Sequence, residues 1–268
     1  MDKQAVREAV WNAFDESGAA RFPFPPHDRI PNFAGADAAC ERLTDTDEWA
    51  AASTLKCNPD APQLPVRRAA LRAGKTVYVA QPRLRDPNPF LRLDPDDFVD
   101  ADSADADSAD AVDDGPTVND ATTVSGISTH GTPVAPEDVS RVDLVVSGSV
   151  GVTTDGARIG KGEGYSDLEW GVLSELGAVD GETTVATTVH ELSVLDGPTS
   201  AVVTAVDAGE TLPAPDDHDV PLDLIATPER TIRTETPYAR PDGIDWNALD
   251  AERSSEIPVL AERAPEEV

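Results

Sequence analysis

The chain has 268 residues, 51 acidic against 21 basic, and a formal net charge of −30. That charge excludes a nucleic-acid partner, because phosphate contacts need a basic patch. No apolar run approaches the ~18 residues of a membrane-spanning helix, so no membrane partner is expected either.

In chain order, residues 2–15 read as a helix with Val6, Ala9, Val10, Ala13 and Phe14 on one face. Lys3 and Arg7 share another face at i, i+4. Two like charges stacked in this way mark either a solvated face or a phosphate site. Phe22-Pro23-Phe24-Pro25-Pro26 suits neither helix nor central strand and reads as an extended connector, continued by 29–33, whose phenylalanines Phe22, Phe24 and Phe33 pack on the core. Short helices are predicted over 36–43 and 47–52. Residues 56–62 read as a loop, in which Lys56 is a candidate substrate contact by location alone. A helix over 64–73 is stopped by Gly74, and a strand follows over 75–79. Residues 100–114 are a low-complexity acidic tract with nothing apolar to bury, expected to be a mobile loop. The tract lacks the glycine and closing glutamate of an EF-hand loop.

The most informative stretch is Arg158-Ile159-Gly160-Lys161-Gly162-Glu163-Gly164-Tyr165-Ser166-Asp167. It lies between an apolar strand, 144–146, and a helix over 168–176 that ends at Gly177. Three alternate glycines let the backbone approach a ligand, and N–H groups beside a helix start suit an anion. Arg158 and Lys161 supply positive charge. Asp167 is placed either to cap the helix or to hold a metal. Strands follow over 184–189 and 222–227, with 200–206 a strand or a loop remnant. The polar turn 213–219 carries His218 and Asp219, each a turn residue or a metal ligand. Past Pro228, Ile244 and Trp246 are expected docking points, and 259–268 is expected to be disordered.

Alternating strands and helices give an α/β domain with a mainly parallel sheet, whose ligands bind beyond the C-terminal strand ends. The expected organisation is one domain over 1–228, with the acidic insertion at 100–120, and an extension over 229–268. Cys40 and Cys57 lack zinc spacing and read as reduced thiols, or as a disulfide in an oxidising compartment. The start, Met1-Asp2-Lys3-Gln4, shows no secretory pattern, so a cytoplasmic location is expected, and a monomer is the default. Only Lys3, Lys56, Lys75 and Lys161 are lysines. An acidic, lysine-poor surface is what a high-salt cytoplasm selects, since the Debye length falls to about 3 Å at 1 M. A halophilic source is therefore expected.

The glycine loop resembles the RLGRGGGYYD signature of the 5-formyltetrahydrofolate cyclo-ligase (methenyltetrahydrofolate synthetase) family. His218-Asp219 followed by Asp223 resembles its HDxxxD element, Lys3 and Arg7 its basic pair, and Gly74-Lys75 through Pro82 its GK…P element. The chain is most similar to the methenyltetrahydrofolate synthetase domain-containing subgroup, through Arg29-Ile30-Pro31-Asn32-Phe33 and Asn58-Pro59-Asp60-Ala61-Pro62-Gln63. Some animal members carry an RNA-recognition module, whose aromatic pattern is missing here.

The resemblance implies a three-layer α/β sandwich with a mainly parallel central sheet, like that of sugar-phosphate isomerases and CoA transferases. It implies ATP-dependent cyclisation of 5-formyltetrahydrofolate to 5,10-methenyltetrahydrofolate. ATP would be held by Lys3, Arg7, Arg158, Gly160, Lys161, Gly162, Gly164 and Tyr165, with Arg158 and Lys161 catalytic. Mg²⁺ would be held by Asp167 and Asp219. A folate-contacting glutamate of the family falls near Asp60, which joins Lys56 as a candidate for binding the reduced folate. Glu163 stands where the signature has glycine, and Ser166 where it has its second tyrosine. The alternatives are a nucleotide-binding member without cyclo-ligase activity, or an enzyme for another small substrate.

Overall fold

A computed structural model describes residues 1–100, 115–202, 209–249 and 251–265. The acidic tract 101–114 and most of the 200–206 segment lie outside the described residues. Among the described residues, no helix is long and apolar enough to cross a membrane.

Helix α1 (Lys3–Ser17) starts at Asp2, whose carboxylate accepts from the Ala5 N–H at 2.7 Å, and ends at Gly18 with φ 69°. Its i, i+4 and i+8 positions Val6, Val10 and Phe14, with Trp11, are buried. The next segment forms a two-stranded ribbon, β1 (Ala20–Arg21) with β2 (Asn32–Phe33). Between them Phe22 and Phe24 are 77% and 61% exposed, so they do not pack on the core as expected; only Phe33 does. The prolines remove the N–H groups that would tie this segment down. Its anchor, Asn32 Nδ2 donating to the Phe22 carbonyl at 2.7 Å, holds backbone rather than rings.

The central sheet is built from β3 (Thr54–Cys57), β4 (Thr76–Ala80), β5 (Phe90–Leu93), β6 (Thr132–Val134), β7 (Leu144–Val146), β10 (Thr184–Thr188), β11 (Leu224–Ala226) and β12 (Thr231–Arg233). The order is β12-β11-β10-β7-β3-β4-β5-β6, with the five strands from β11 to β4 mutually parallel and the edges antiparallel. A small ribbon, β8 (Gly151–Val152) with β9 (Arg158–Ile159), stands apart and separates β7 from the glycine loop.

Side-chain alternation splits the sheet between two cores. Leu144 and Val146 face α2 (Ala36–Thr44), α3 (Asp47–Ala51) and α4 (Leu64–Arg72), with α5 (Val118–Ala121) and α6 (Val124–His130) beyond. Val145 faces the other core, which holds α7 (Tyr165–Glu175) and Ile257, Val259 and Leu260. Helix–sheet–helix layering, the three-layer α/β sandwich, follows directly. A third cluster packs α1 onto Phe33, Val150, Ile159 and Leu195.

Three expectations change. Lys56 and Cys57 do not lie in a loop: they end β3, a central strand too short to show periodicity. Asp167 is not a helix cap: α7 begins earlier, from Gly164 in the left-handed region at φ 67°. Residues 259–265 are not disordered, and 266–268 lie outside the described residues. After α8 (Ala251–Glu256), α9 (Pro258–Ala261) buries Val259 and Leu260 in the α7-side core.

Candidate functional site

The parallel register aligns the C-terminal ends of β3, β4 and β7, pairing Cys57 with Val79 and with Val146. Beyond this edge lies a cleft of about 330 Å³. One wall is Asn58-Pro59-Asp60 and Gln81-Pro82-Arg83; the other runs through the glycine loop to Asp167 and Glu169. The loop after β3, unplaced by sequence, therefore faces the glycine loop directly.

In the glycine loop, Gly162 has φ 104°, and a Cβ there would lie 3.3 Å from the Arg7 guanidinium carbon. Arg7 Nε donates to the Gly160 carbonyl at 2.8 Å, so α1 buttresses the loop from outside. Lys161 lines the cleft and pairs with Glu163 at 2.7 Å. Arg158 is buried, donates to the Gly148 carbonyl at 3.1 Å, and forms an ion pair with Asp167. Its Nε is buried without a partner. Burial lowers the pKa of this guanidinium, but the Asp167 carboxylate more than offsets that and raises it overall.

Asp167 also accepts from the Val220 N–H at 3.1 Å, which brings the 216–220 turn against the start of α7. There Asp219 accepts from Lys3 Nζ at 2.5 Å and from the Asp216 N–H at 2.7 Å. Lys3 bridges to Asp216 as well, at 2.8 Å. Asp167 and the Asp219 turn thus meet, each carboxylate holding one cation and one backbone N–H. Among the described residues no group of three or more His, Cys, Asp or Glu could hold a metal ion. An all-protein metal cage is not built there.

The facing wall rests on a buried polar network that sequence reading missed. Arg67, 1% exposed, donates to the carbonyls of Asn58 (2.6 Å), Asp60 (3.1 Å) and Thr122 (3.1 Å). Gln63 accepts from the Asn58 N–H at 2.8 Å, and the Asn58 side chain accepts from the Gly148 N–H at 3.1 Å. Lys56, also 1% exposed, is ion-paired with Glu169, and it is Glu169 that lines the cleft. A lysine within an apolar strand demands a buried acid, and that was the available signal for Glu169. Asp60 packs its carboxylate against Gly148, where a Cβ would come within 2.8 Å. Burial pushes its pKa up, opposed by Lys161 and Arg67. Arg83 was missed too. It lines the cleft with φ 63°, a left-handed backbone that is strained for a residue with a Cβ.

Fold and cleft together define an α/β domain whose candidate site, a cleft bearing Arg83, Arg158 and Lys161, opens at the C-terminal edge of a parallel sheet. The chain belongs to the 5-formyltetrahydrofolate cyclo-ligase family, whose profile matches residues 3–228. It is 36% identical over 260 residues to the methenyltetrahydrofolate synthase domain-containing protein of Bos taurus, with 97% of this chain and 61% of that protein covered. The same-named protein of Homo sapiens is 35% identical with the same coverage, and that of Danio rerio is 36% identical over 258 residues, covering 96% and 60%. The chain thus spans about 61% of the length of these mammalian relatives. Among solved structures, the NMR structure of Aquifex aeolicus 5,10-methenyltetrahydrofolate synthetase is similar at 16% identity with a TM-score of 0.48, covering 93% of this chain and 100% of that one.

Proposed function

We propose that this chain catalyses the MgATP-dependent cyclisation of 5-formyltetrahydrofolate to 5,10-methenyltetrahydrofolate. One observation carries the reading: a single cleft sets a glycine loop with two cations opposite the Asn58–Asp60 wall. The reaction needs an electrophile and an anion held together, with charge neutralised between them, and no protein nucleophile. The formyl oxygen takes the terminal phosphoryl group of ATP and displaces ADP, N10 closes the ring on the formyl carbon and gives up its proton to solvent, and the former formyl oxygen leaves as phosphate.

Arg158 and Lys161 neutralise charge on the transferred group. Arg158 is fixed by Asp167 and the Gly148 carbonyl, so it is preorganised. Gly160, Gly162, Gly164 and the Tyr165 backbone cradle the phosphates, with Lys3 and Arg7 behind the loop. Asp60 faces the folate, and Lys56 acts by holding Glu169. Asp167 and Asp219 would hold Mg²⁺, which supplies further neutralisation of phosphate charge. This donor set fits an ion bound by one or two carboxylates and completed by substrate phosphates.

A second reading, nucleotide binding without ring closure, is favoured by the 2.7 Å Lys161–Glu163 pair, which shares the loop's cation with a carboxylate. Following methenyltetrahydrofolate absorbance with wild-type protein and Lys161→Ala separates the two. Turnover that needs ATP and disappears in the variant supports cyclo-ligation. ATP binding that weakens in the variant, with no turnover in either protein, supports the second reading.

A further inference from the structure

Resting on that reading, we propose that the segment after residue 240 builds a second pocket on the glycine loop, and that this pocket takes the base of the nucleotide. The pocket encloses about 80 Å³ and shares Gly164 and Asp167 with the main cleft. Gly164, with no Cβ, forms the sill between them. Its other walls are Leu168, His218 and, from the segment beyond the stretch matched by the family profile, residues 243–245, 248 and 249.

That wall is held in place. Trp170 Nε1 donates to the Pro241 carbonyl at 2.8 Å, and the Ile244 N–H donates to Glu175 at 3.2 Å. Gly171 lets the segment approach α7 so closely that a Cβ there would lie 3.0 Å from the Gly243 carbonyl oxygen. Asp245 fixes the following turn by accepting from the Asn247 and Ala248 N–H groups at 3.1 and 3.3 Å.

Charge decides what each compartment takes. The main cleft carries Arg83, Arg158 and Lys161. The second pocket has no lysine or arginine among its lining residues; it has Asp167, Asp245 and His218 against Leu168, Ile244 and Leu249. Phosphate is repelled from such a site, whereas a neutral flat ring bearing N–H donors is accepted by it. Size agrees: about 330 Å³ is near the lower bound for one drug-sized ligand, roughly 300 Å³, and the proposed reaction brings two.

The test is calorimetric titration of the full chain in concentrated KCl and Mg²⁺, with ATP and with inorganic tripolyphosphate. Ala248 is exposed at the pocket, so Ala248→Trp fills it without touching the core. Wild-type protein is expected to bind ATP about tenfold or more tighter than tripolyphosphate. Ala248→Trp should lose that margin and keep its tripolyphosphate affinity. Hydrogen exchange on wild-type protein gives a check that needs no variant: ATP, and not tripolyphosphate, should protect residues 243–249. Equal affinities in the wild type, or ATP binding untouched by Ala248→Trp, overturn the base pocket and leave the phosphate site standing. Binding of neither probe overturns both.

Discussion

Lys56→Met leaves Glu169 buried without its cation. Both residues are almost wholly inside, at 1% and 4% exposure, so salt screens neither the pair nor the orphan. The remaining described side-chain hydrogen bond of Glu169 is with Asn58 Nδ2, at 3.4 Å too long to compensate. Removing one partner of such a pair costs about 3–5 kcal/mol, whereas replacing both with apolar groups is often neutral. A domain of this kind has about 5–15 kcal/mol in total. The single variant should therefore lose about a fifth or more of the stability, and Lys56→Met/Glu169→Leu should regain most of it. Urea unfolding at one fixed KCl concentration, with the slope m unchanged, measures both. If Lys56→Met costs less than about 1 kcal/mol, or the double variant is no better than the single, the Lys56–Glu169 pair does not tie β3 to α7.

Gly162→Ala places a side chain at φ 104°, 3.3 Å from the Arg7 guanidinium; about 1–3 kcal/mol of strain should weaken ATP roughly tenfold by calorimetry, and unchanged affinity would contradict the loop assignment. The Asp60 carboxyl has its folded pKa raised by burial, so its contribution to stability is fullest below the unfolded value of ~3.9 and is lost as pH rises through the folded one. Asp60→Asn should then be more stable than wild type at pH 7, with the gain vanishing in acid, while the KM for folate rises; a loss of stability at pH 7 would refute the burial argument. Burial pushes Cys57 up to about 11 and Cys40 up to about 12, so iodoacetamide at pH 8 should label both thiols in urea and neither in the folded protein; rapid native labelling would show an accessible thiolate. With a net charge of −30, the thermal midpoint should climb steadily with KCl, and full stability in dilute buffer would count against the high-salt reading.

Periodic stretches were legible because they carry their own geometry. Val6, Val10 and Phe14 announce α1, and the apolar run Leu144–Val146 announces a central strand. The two-residue strands β8 and β9 were not legible, since two residues show no alternation. Nor was the place of the Asn58–Asp60 wall: it depends on β3 lying beside β7, a pairing of residues far apart in sequence. Arg158, Lys161 and the glycines could be read because chemistry and spacing coincide within ten residues. Glu169 could not, since on a helix it looks like any solvated acid until Lys56 is seen to end a buried strand. Val259 and Leu260 were misjudged because a four-residue helical turn amid charged neighbours resembles a frayed tail until its core is known.

In the proposed function one cleft couples ATP to ring closure on a reduced folate. Counting ADP released against methenyltetrahydrofolate formed, in a single reaction with 5-formyltetrahydrofolate and MgATP in concentrated KCl, tests it most directly. One ADP per methenyl product is expected, with no ADP release beyond background without the folate. ADP release that ignores 5-formyltetrahydrofolate, or tight ATP binding with no methenyl product, would contradict it.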